Sequence, residues 1–275
     1  MRVSVVITTK NEEKNIKNCL KSIENQDFER EEMEIIVVDN NSTDKTREIA
    51  EEFGKGLAPL NTQVFNRGPE RSAQRNFGVQ KSSGEYILYL DADMVLSRDV
   101  IKNCASKMES DSELAGLYIS EKIRGRGFWG KVRAFERSFY DGTVIDAVRF
   151  VKKDKFLEVG GFDENLTGPE DWDFDKKIRN IGEVRLIISP LYHNEEEFNL
   201  KKYLARKYYY SRDFQKYIRK WGKDDPDIRK QFGFWYRYIG VFAENGKWKK
   251  LLRHPVLAMG MYSLRFLVGL NLIFS

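Results

Sequence analysis

The order of the first hundred residues constrains this chain most, because short β-rich apolar runs alternate there with helical patterns. Such alternation builds βαβ units around a mostly parallel α/β sheet flanked by helices. VSVVIT (Val3–Thr8) predicts a buried strand; Ile16, Cys19, Leu20 and Ile23, spaced i, i+3, i+4 and i+7, predict an amphipathic helix behind it. MEIIVVD (Met33–Asp39) predicts the second strand, and NNSTDKTREIAEEFG a polar turn and a helix stopping at Gly54. TQVFN is a weaker third strand, Arg71–Lys81 a helix, and EYILYLDAD a fourth strand ending in carboxylates. Further on come a helix near Arg98–Glu109, a strand at LAGLYIS, a helix at Phe128–Tyr140 and a strand at DAVRFVKK. VGGFDENLTGPEDWDFDKKIRNIG reads as a glycine-rich loop entering a helix, and EVRLIIS as the last strand. No strand is predicted beyond His193.

Charge divides the chain into two zones. Residues 1–200 hold 30 Lys/Arg against 37 Asp/Glu, whereas residues 201–253 hold 16 against 5 and carry 14 of the 36 aromatics. An acidic body spanning 1–198 and a helical, basic and aromatic C-terminal extension spanning 199–275 are expected. The extension reads as two helices split near Gly222–Pro226, followed by an apolar third segment over 247–275. Cys19 and Cys104 belong to no CxxC or Cys/His cluster, so neither a disulfide framework nor a zinc site is predicted. The opening MRVSVVITTKNE lacks the features of a secretory signal, and a cytoplasmic location is expected.

Open α/β sheets present functional groups at the C-terminal ends of their strands. Three polar sets fall there: Thr8 to Glu12, Asp39 to Asp44, and Asp91-Ala92-Asp93. There is no GxGxxG after the first strand and no GxxxxGK[ST] anywhere, so a glycine-rich phosphate cradle is excluded. Asp91 and Asp93 can instead offer carboxylates to one hard divalent cation, which would bridge phosphate oxygens.

IVVDNNSTDKT, NRGPERSAQRNFG, GEYILYLDADM and GGFDENLTGPEDWDF occur in one order, and together they resemble the family 2 glycosyltransferases over roughly residues 1–195. The resemblance implies a GT-A type, Rossmann-like fold and inverting transfer of a sugar from a nucleotide donor, a UDP- or GDP-sugar. It implies that Asp39 reads the base, that Arg71 or Arg75 contacts base or phosphate, and that Thr8 and Glu12 border the nucleoside. Asp91 would lie near the ribose, with Asp93 on Mn2+ or Mg2+ and His193 near the metal and diphosphate. Asp171, in the Glu170-Asp171 pair, matches the general base that takes the acceptor hydroxyl's proton. Glu170 and Trp172 are candidates on the acceptor side; for Trp172 a place in the core is the alternative. Asp173 and Asp175 have a plainer reading as a solvated first helical turn. KKYLARKYYYSRDF lacks the Q-x-x-R-W motif of processive relatives, so single additions to a glycan or polyisoprenyl-linked acceptor are expected. A nucleotidyltransferase would leave the Glu170-Asp171 pair and the GGFDE segment without a role. A non-catalytic RNA-binding or membrane-scaffold relative would not need Asp39, Asp91, Asp93 and Asp171 together.

The basic, aromatic tail favours a membrane surface over nucleic acid. WKKLLRH precedes PVLAMGMYSLRFLVGLNLIFS, and Trp with Lys/Arg beside an apolar stretch marks an interfacial anchor. Arg265 at the midpoint of that stretch favours lying in the interface over crossing it. Peripheral attachment to the inner face of the membrane is therefore expected, with a core-packing helix or a homo-oligomer contact as the alternatives. Residues 1–245 are expected to fold without the remainder.

Overall fold

A computed structural model describes residues 2–55 and 60–274. The strands are β1 (Val3–Thr9), β2 (Met33–Asp39), β3 (Asn61–Asn66), β4 (Tyr86–Asp91), β5 (Met94–Leu96), β6 (Leu114–Arg126), β7 (Phe150–Lys152) and β8 (Glu183–Glu197), in one sheet of order β3-β2-β1-β4-β7-β6-β8-β5. The pairs β3–β2, β2–β1, β1–β4 and β6–β8 are parallel, whereas β7 runs antiparallel to both β4 and β6 and β5 antiparallel to β8. β1 and β2 are buried along their whole lengths, which is why they read as unbroken apolar runs rather than as alternating ones.

Helices cover both faces. α1 (Ile16–Glu24), α2 (Thr46–Phe53) and α4 (Val100–Glu109) enclose a core that includes Ile16, Leu20, Ala50 and Cys104. α3 (Arg71–Lys81), α6 (Lys153–Glu158) and α7 (Glu170–Arg179) close the other side over Val6, Tyr89, Phe156 and Phe174. α5 (Gly127–Arg137) contributes Val132 and Phe135 to a third cluster. Cys19 and Cys104 are free, buried thiols.

The basic segment is helical as expected but more finely divided, into α8 (Leu200–Ser211), α9 (Phe214–Trp221) and α10 (Pro226–Phe232). After a π-turn at Tyr236–Gly240 come α11 (Val241–Ala243), α12 (Trp248–Arg253) and α13 (Pro255–Phe274). Asp173 and Asp175 differ from the solvated reading: both are buried, Asp173 accepting from Lys220 Nζ at 3.0 Å and Trp221 Nε1 at 2.8 Å, and Asp175 pairing with Arg179 at 2.8 Å. They anchor α7 rather than decorate its first turn.

The last segment shares a core with the body. Met261 and Leu264 of α13 pack with Val132, Phe135 and Phe139 around α5, and with Val241 and Phe242. A Cβ on Gly260 would fall 2.8 Å from Val132 Cγ2, so the two helices approach closely only because that side chain is missing. Arg265 is buried: Nη1 donates to Glu136 Oε1 and to the Tyr140 hydroxyl, both at 2.6 Å, and Nη2 to the Arg237 carbonyl at 2.5 Å. The charge thus points into the protein, and Val256, Met259 and Phe266, at helical spacing on the opposite face of α13, are left exposed together with Leu252 of α12. Leu251, Leu257, Ala258, Met261, Tyr262 and Leu264 thus take part in the packing around α5, which matches the core-packing alternative of the sequence reading on this face of the segment. Pro255–Leu272 is nonetheless long and apolar enough, by length and composition, to cross a membrane.

Candidate active site

The ends of β1, β2 and β4 meet at one rim because the three strands are parallel and in register, Thr8 opposite both Val38 and Asp91. The loops leaving them are locked to each other. Asn11 and Asn41 adopt positive φ, the Asn11 amide donates to Ser42 Oγ at 2.8 Å, and the Thr43 amide donates to Asn11 Oδ1 at 2.8 Å. Asn tolerates this left-handed backbone better than other L-residues with a side chain. The rim borders a cavity of about 340 Å3 lined by Thr8, Glu12, Arg71, Asp91, Asp93 and His193 among others.

Asp39 is buried beside the lining residue Asn40, and its carboxylate accepts from the Ser42 amide at 2.9 Å and the Ser42 hydroxyl at 2.5 Å. In this state it caps the turn that follows β2. The two arginines of α3 separate clearly. Arg71 lines the cavity, donates from Nη2 to Glu170 Oε1 at 2.8 Å, and lies 5.2 Å from the centre of the Tyr210 ring. Arg75 is fully buried: Nη1 donates to Asp171 Oδ1 at 2.6 Å and Nη2 to Asp91 Oδ1 at 3.2 Å, with its guanidinium 4.9 Å from the ring centres of both Tyr89 and Phe162. One guanidinium therefore joins the strand-end carboxylate to the carboxylate of the ED pair.

Thr8 Oγ1 also donates to Asp91 Oδ1, at 2.9 Å. Burial alone would raise the Asp91 carboxyl, but Arg75, Arg71 and Arg149 outweigh it and hold the group well below the usual carboxylate range. Glu170 goes the other way. It is buried, and desolvation raises it despite the Arg71 contact. Asp171 is the second residue of α7, reached through Gly168, whose φ of +104° and close approach to the Tyr210 backbone exclude a Cβ.

Asp93 and His193 come together through the backbone. β5 begins directly after Asp93 and pairs with β8 so that Met94 faces His193, and the Asn194 amide donates to the Asp93 carbonyl at 2.9 Å. His193 Nε2 lies 3.0 Å from Asp93 Oδ2 and Nδ1 lies 3.2 Å from Glu121 Oε1. Burial would lower the imidazole, but the two carboxylates outweigh it and hold His193 well above its ordinary value. Glu121 is in turn held low, against its own burial, by Arg137, His193 and Arg149.

Asp93 Oδ1 is buried without a hydrogen-bond partner, the kind of orphaned oxygen that suits a cation. No group of three metal-ligating side chains occurs among the described residues. The Asp93 carboxylate is the hard oxygen ligand a divalent ion takes, and the His193 imidazole beside it could be a further ligand.

Of the residues singled out in the sequence, Thr8, Arg71, Arg75, Asp91, Glu170 and Asp171 form one connected network, with Asp93 and His193 at the cavity beside it. Trp172 sits elsewhere, donating to the Ile145 carbonyl at 3.1 Å and packing with Phe214 and Phe232. Sequence reasoning did not single out Glu121, nor Arg206, Tyr209 and Tyr210 of α8, which line the cavity. The basic, aromatic composition of 201–253 was the available signal for the last three.

The family model described as Glycosyl transferase family 2 matches residues 4–159. The chain belongs to that family. Its glycosyltransferase relatives include the poly(ribitol-phosphate) beta-N-acetylglucosaminyltransferase TarS of Staphylococcus aureus, 31% identical over 127 residues, 46% of this chain and 22% of that protein. The glycosyltransferase AglE of Haloferax volcanii is 37% identical over 193 residues, 66% of this chain and 62% of that protein. The matches thus span between about a fifth and three fifths of these two relatives' lengths. The fold is that of the GT-A glycosyltransferases: the mannosyltransferase PcManGT from Pyrobaculum calidifontis, solved with GDP-Man and Mn2+, superimposes with a TM-score of 0.68 at 19% identity, over 99% of this chain and 87% of that one.

Proposed function

We propose that this chain is an inverting glycosyltransferase that moves a sugar from a UDP- or GDP-sugar to a hydroxyl of a glycan or polyisoprenyl-linked acceptor. The observation that carries the reading is the pair of carboxylates on Arg75, one at the nucleotide rim and one at the mouth of the ED helix. Thr8, Glu12, Asp39, Arg71 and Asp91 receive the nucleotide, with Arg71 facing its diphosphate. Arg75 takes no part in that contact and holds the Asp171 carboxylate in place. Arg75 engages Oδ1 of Asp171, and among the described residues Oδ2 has no hydrogen-bond donor, so Oδ2 is the atom that takes the proton.

As the acceptor oxygen bonds to the anomeric carbon, the bond from that carbon to the leaving phosphate breaks from the opposite face. Its electron pair leaves on the diphosphate, and the hydroxyl proton passes to Asp171. Mn2+ or Mg2+, when held by Asp93 and His193, supplies charge neutralisation for the diphosphate. Glu170, kept close by Arg71, borders the acceptor side.

The exposed stripe of α12 and α13 supports attachment to an anionic membrane surface, because Lys249 and Arg253 flank it and Arg265 is withdrawn from it. Asp171→Asn tests the chemistry. It should keep Mn2+-dependent nucleotide affinity within a few fold and lose transfer by about 10²-fold or more. Near wild-type turnover in that variant would remove Asp171 from the role.

A further inference from the structure

A second cavity, of about 600 Å3, opens between α1, β5 and the outer end of β8. We propose that it is an acceptor subsite for the anionic part of a glycan, a uronate carboxylate or a phosphodiester. The inference rests on the transferase reading above and extends it to the class of acceptor.

The cavity lies within the range of small-molecule sites, about 300–1,000 Å3. Its wall combines amides (Asn15, Asn18), cations (Lys21, Arg98, Arg124) and one aromatic, Tyr192. Amides and a planar platform suit sugar hydroxyls and ring faces. The cations decide the charge of the ligand.

Arg98 is engaged by Asp27 at 2.8 Å, but among the described residues neither Lys21 nor Arg124 meets a carboxylate. Arg124 lies 3.8 Å over the Tyr192 ring. Stacking there pre-orients a guanidinium whose fork geometry matches carboxylate and phosphate oxygens. Asp93 is the one carboxylate among the described lining residues, and it faces the proposed donor site as well.

The cavity adjoins that site across Asn15 and Asn194, whose side chains are hydrogen-bonded to each other at 2.8 Å. Asp93, Asn15 and Asn194 also line an adjoining hollow of about 710 Å3, which reaches Glu12 and Arg206 on the border of the donor cavity. That hollow also carries Glu13, Asp44 and Glu195, so a chain whose reacting hydroxyl sits at the donor site crosses it with neutral units and places its charged, remoter unit between α1 and Tyr192.

The test measures binding of three probes by saturation-transfer NMR: trigalacturonate, a short glycerol-phosphate oligomer and neutral maltotriose, with wild type and with Lys21→Ser/Arg124→Ser. Both side chains are exposed, so the double variant should fold. At least one anionic probe should bind wild type more tightly than maltotriose does, and the double variant should weaken it tenfold or more. UDP and GDP affinities in Mn2+ should stay within twofold. The anionic probe that binds identifies the acceptor group as carboxylate or phosphodiester. Equal binding of maltotriose, no binding of either anionic probe, or an unaffected double variant would overturn the subsite. Failure of wild type to bind any nucleotide while still binding an anionic probe would instead overturn the transferase reading and, with it, the acceptor role.

Discussion

Replacing Arg75 by Met gives the sharpest test of the site, because the side chain has no solvent contact and two carboxylate partners, at 2.6 and 3.2 Å. Removing one member of a buried ion pair costs about 3–5 kcal/mol, mostly from the charges left without a partner. Met fills the space between Tyr89 and Phe162 but donates no hydrogen bond, so that range applies here. Urea unfolding followed by tryptophan fluorescence should show the loss, and Arg75→Lys should recover only part of it, since one ammonium cannot reproduce a two-pronged contact. Turnover should fall by about 10²-fold, the scale expected when a reacting group is misplaced by an ångström. The double variant Arg75→Met/Asp171→Asn separates structure from mechanism. If Arg75 acts through Asp171, the double variant turns over no more slowly than Asp171→Asn alone. Losses that multiply, or an Arg75→Met protein within about 0.5 kcal/mol of wild type, would refute the reasoning.

Asp93→Asn should remain folded and lose Mn2+-dependent thermal stabilisation by nucleotide; equal stabilisation in Mn2+ and in chelator would place the cation elsewhere. Lys207 is pushed down to about 7 by burial and by Arg133, against the pull of Glu136. The unfolded chain therefore binds more protons between about pH 7 and pH 10, so stability rises with pH across that window, at about 1.4 kcal/mol per pH unit at most. Lys207→Met should flatten the rise, read as urea midpoints at pH 7.5 and about 9.5. Met259→Asp/Phe266→Asp, both on the exposed face of α13, should abolish co-sedimentation with anionic vesicles at high salt while leaving nucleotide affinity intact. Unchanged sedimentation would assign that face to another contact.

The parallel half of the fold was legible because its strands are buried on both faces and its helices are amphipathic, so that β2 and α3 fall where their patterns place them. The antiparallel half was less so. DAVRFVKK contributes only Phe150–Lys152 to the sheet, and β8 continues through LYHNEEE to Glu197, a polar stretch with no strand periodicity. Three-residue β5 is too short to leave a pattern, yet it brings His193 to Asp93. The residue types of the candidate site were readable, but the division of labour between Arg71 and Arg75 was not. Helix α3 turns Ser72, Gln74 and Arg75 inward, and a polar face reads as a solvent face until the partners that bury it are known. Trp172 likewise depended on packing, since its aromatic neighbours lie more than forty residues further along the chain.

The ladder between β5 and β8 makes chain length at 91–96 as consequential as residue identity there. Side chains alternate across a strand, so sliding β8 past β5 by one position would carry the His193 imidazole to the far side of the sheet while every residue in the segment stayed the same. A point change at the half-buried Val95 would leave that register in place. A single-residue insertion between Asp93 and Met94 would not, and it would separate the imidazole from the carboxylate without touching either. Homologues should accordingly vary in which apolar side chains follow Asp93 and hardly at all in the spacing of this short stretch.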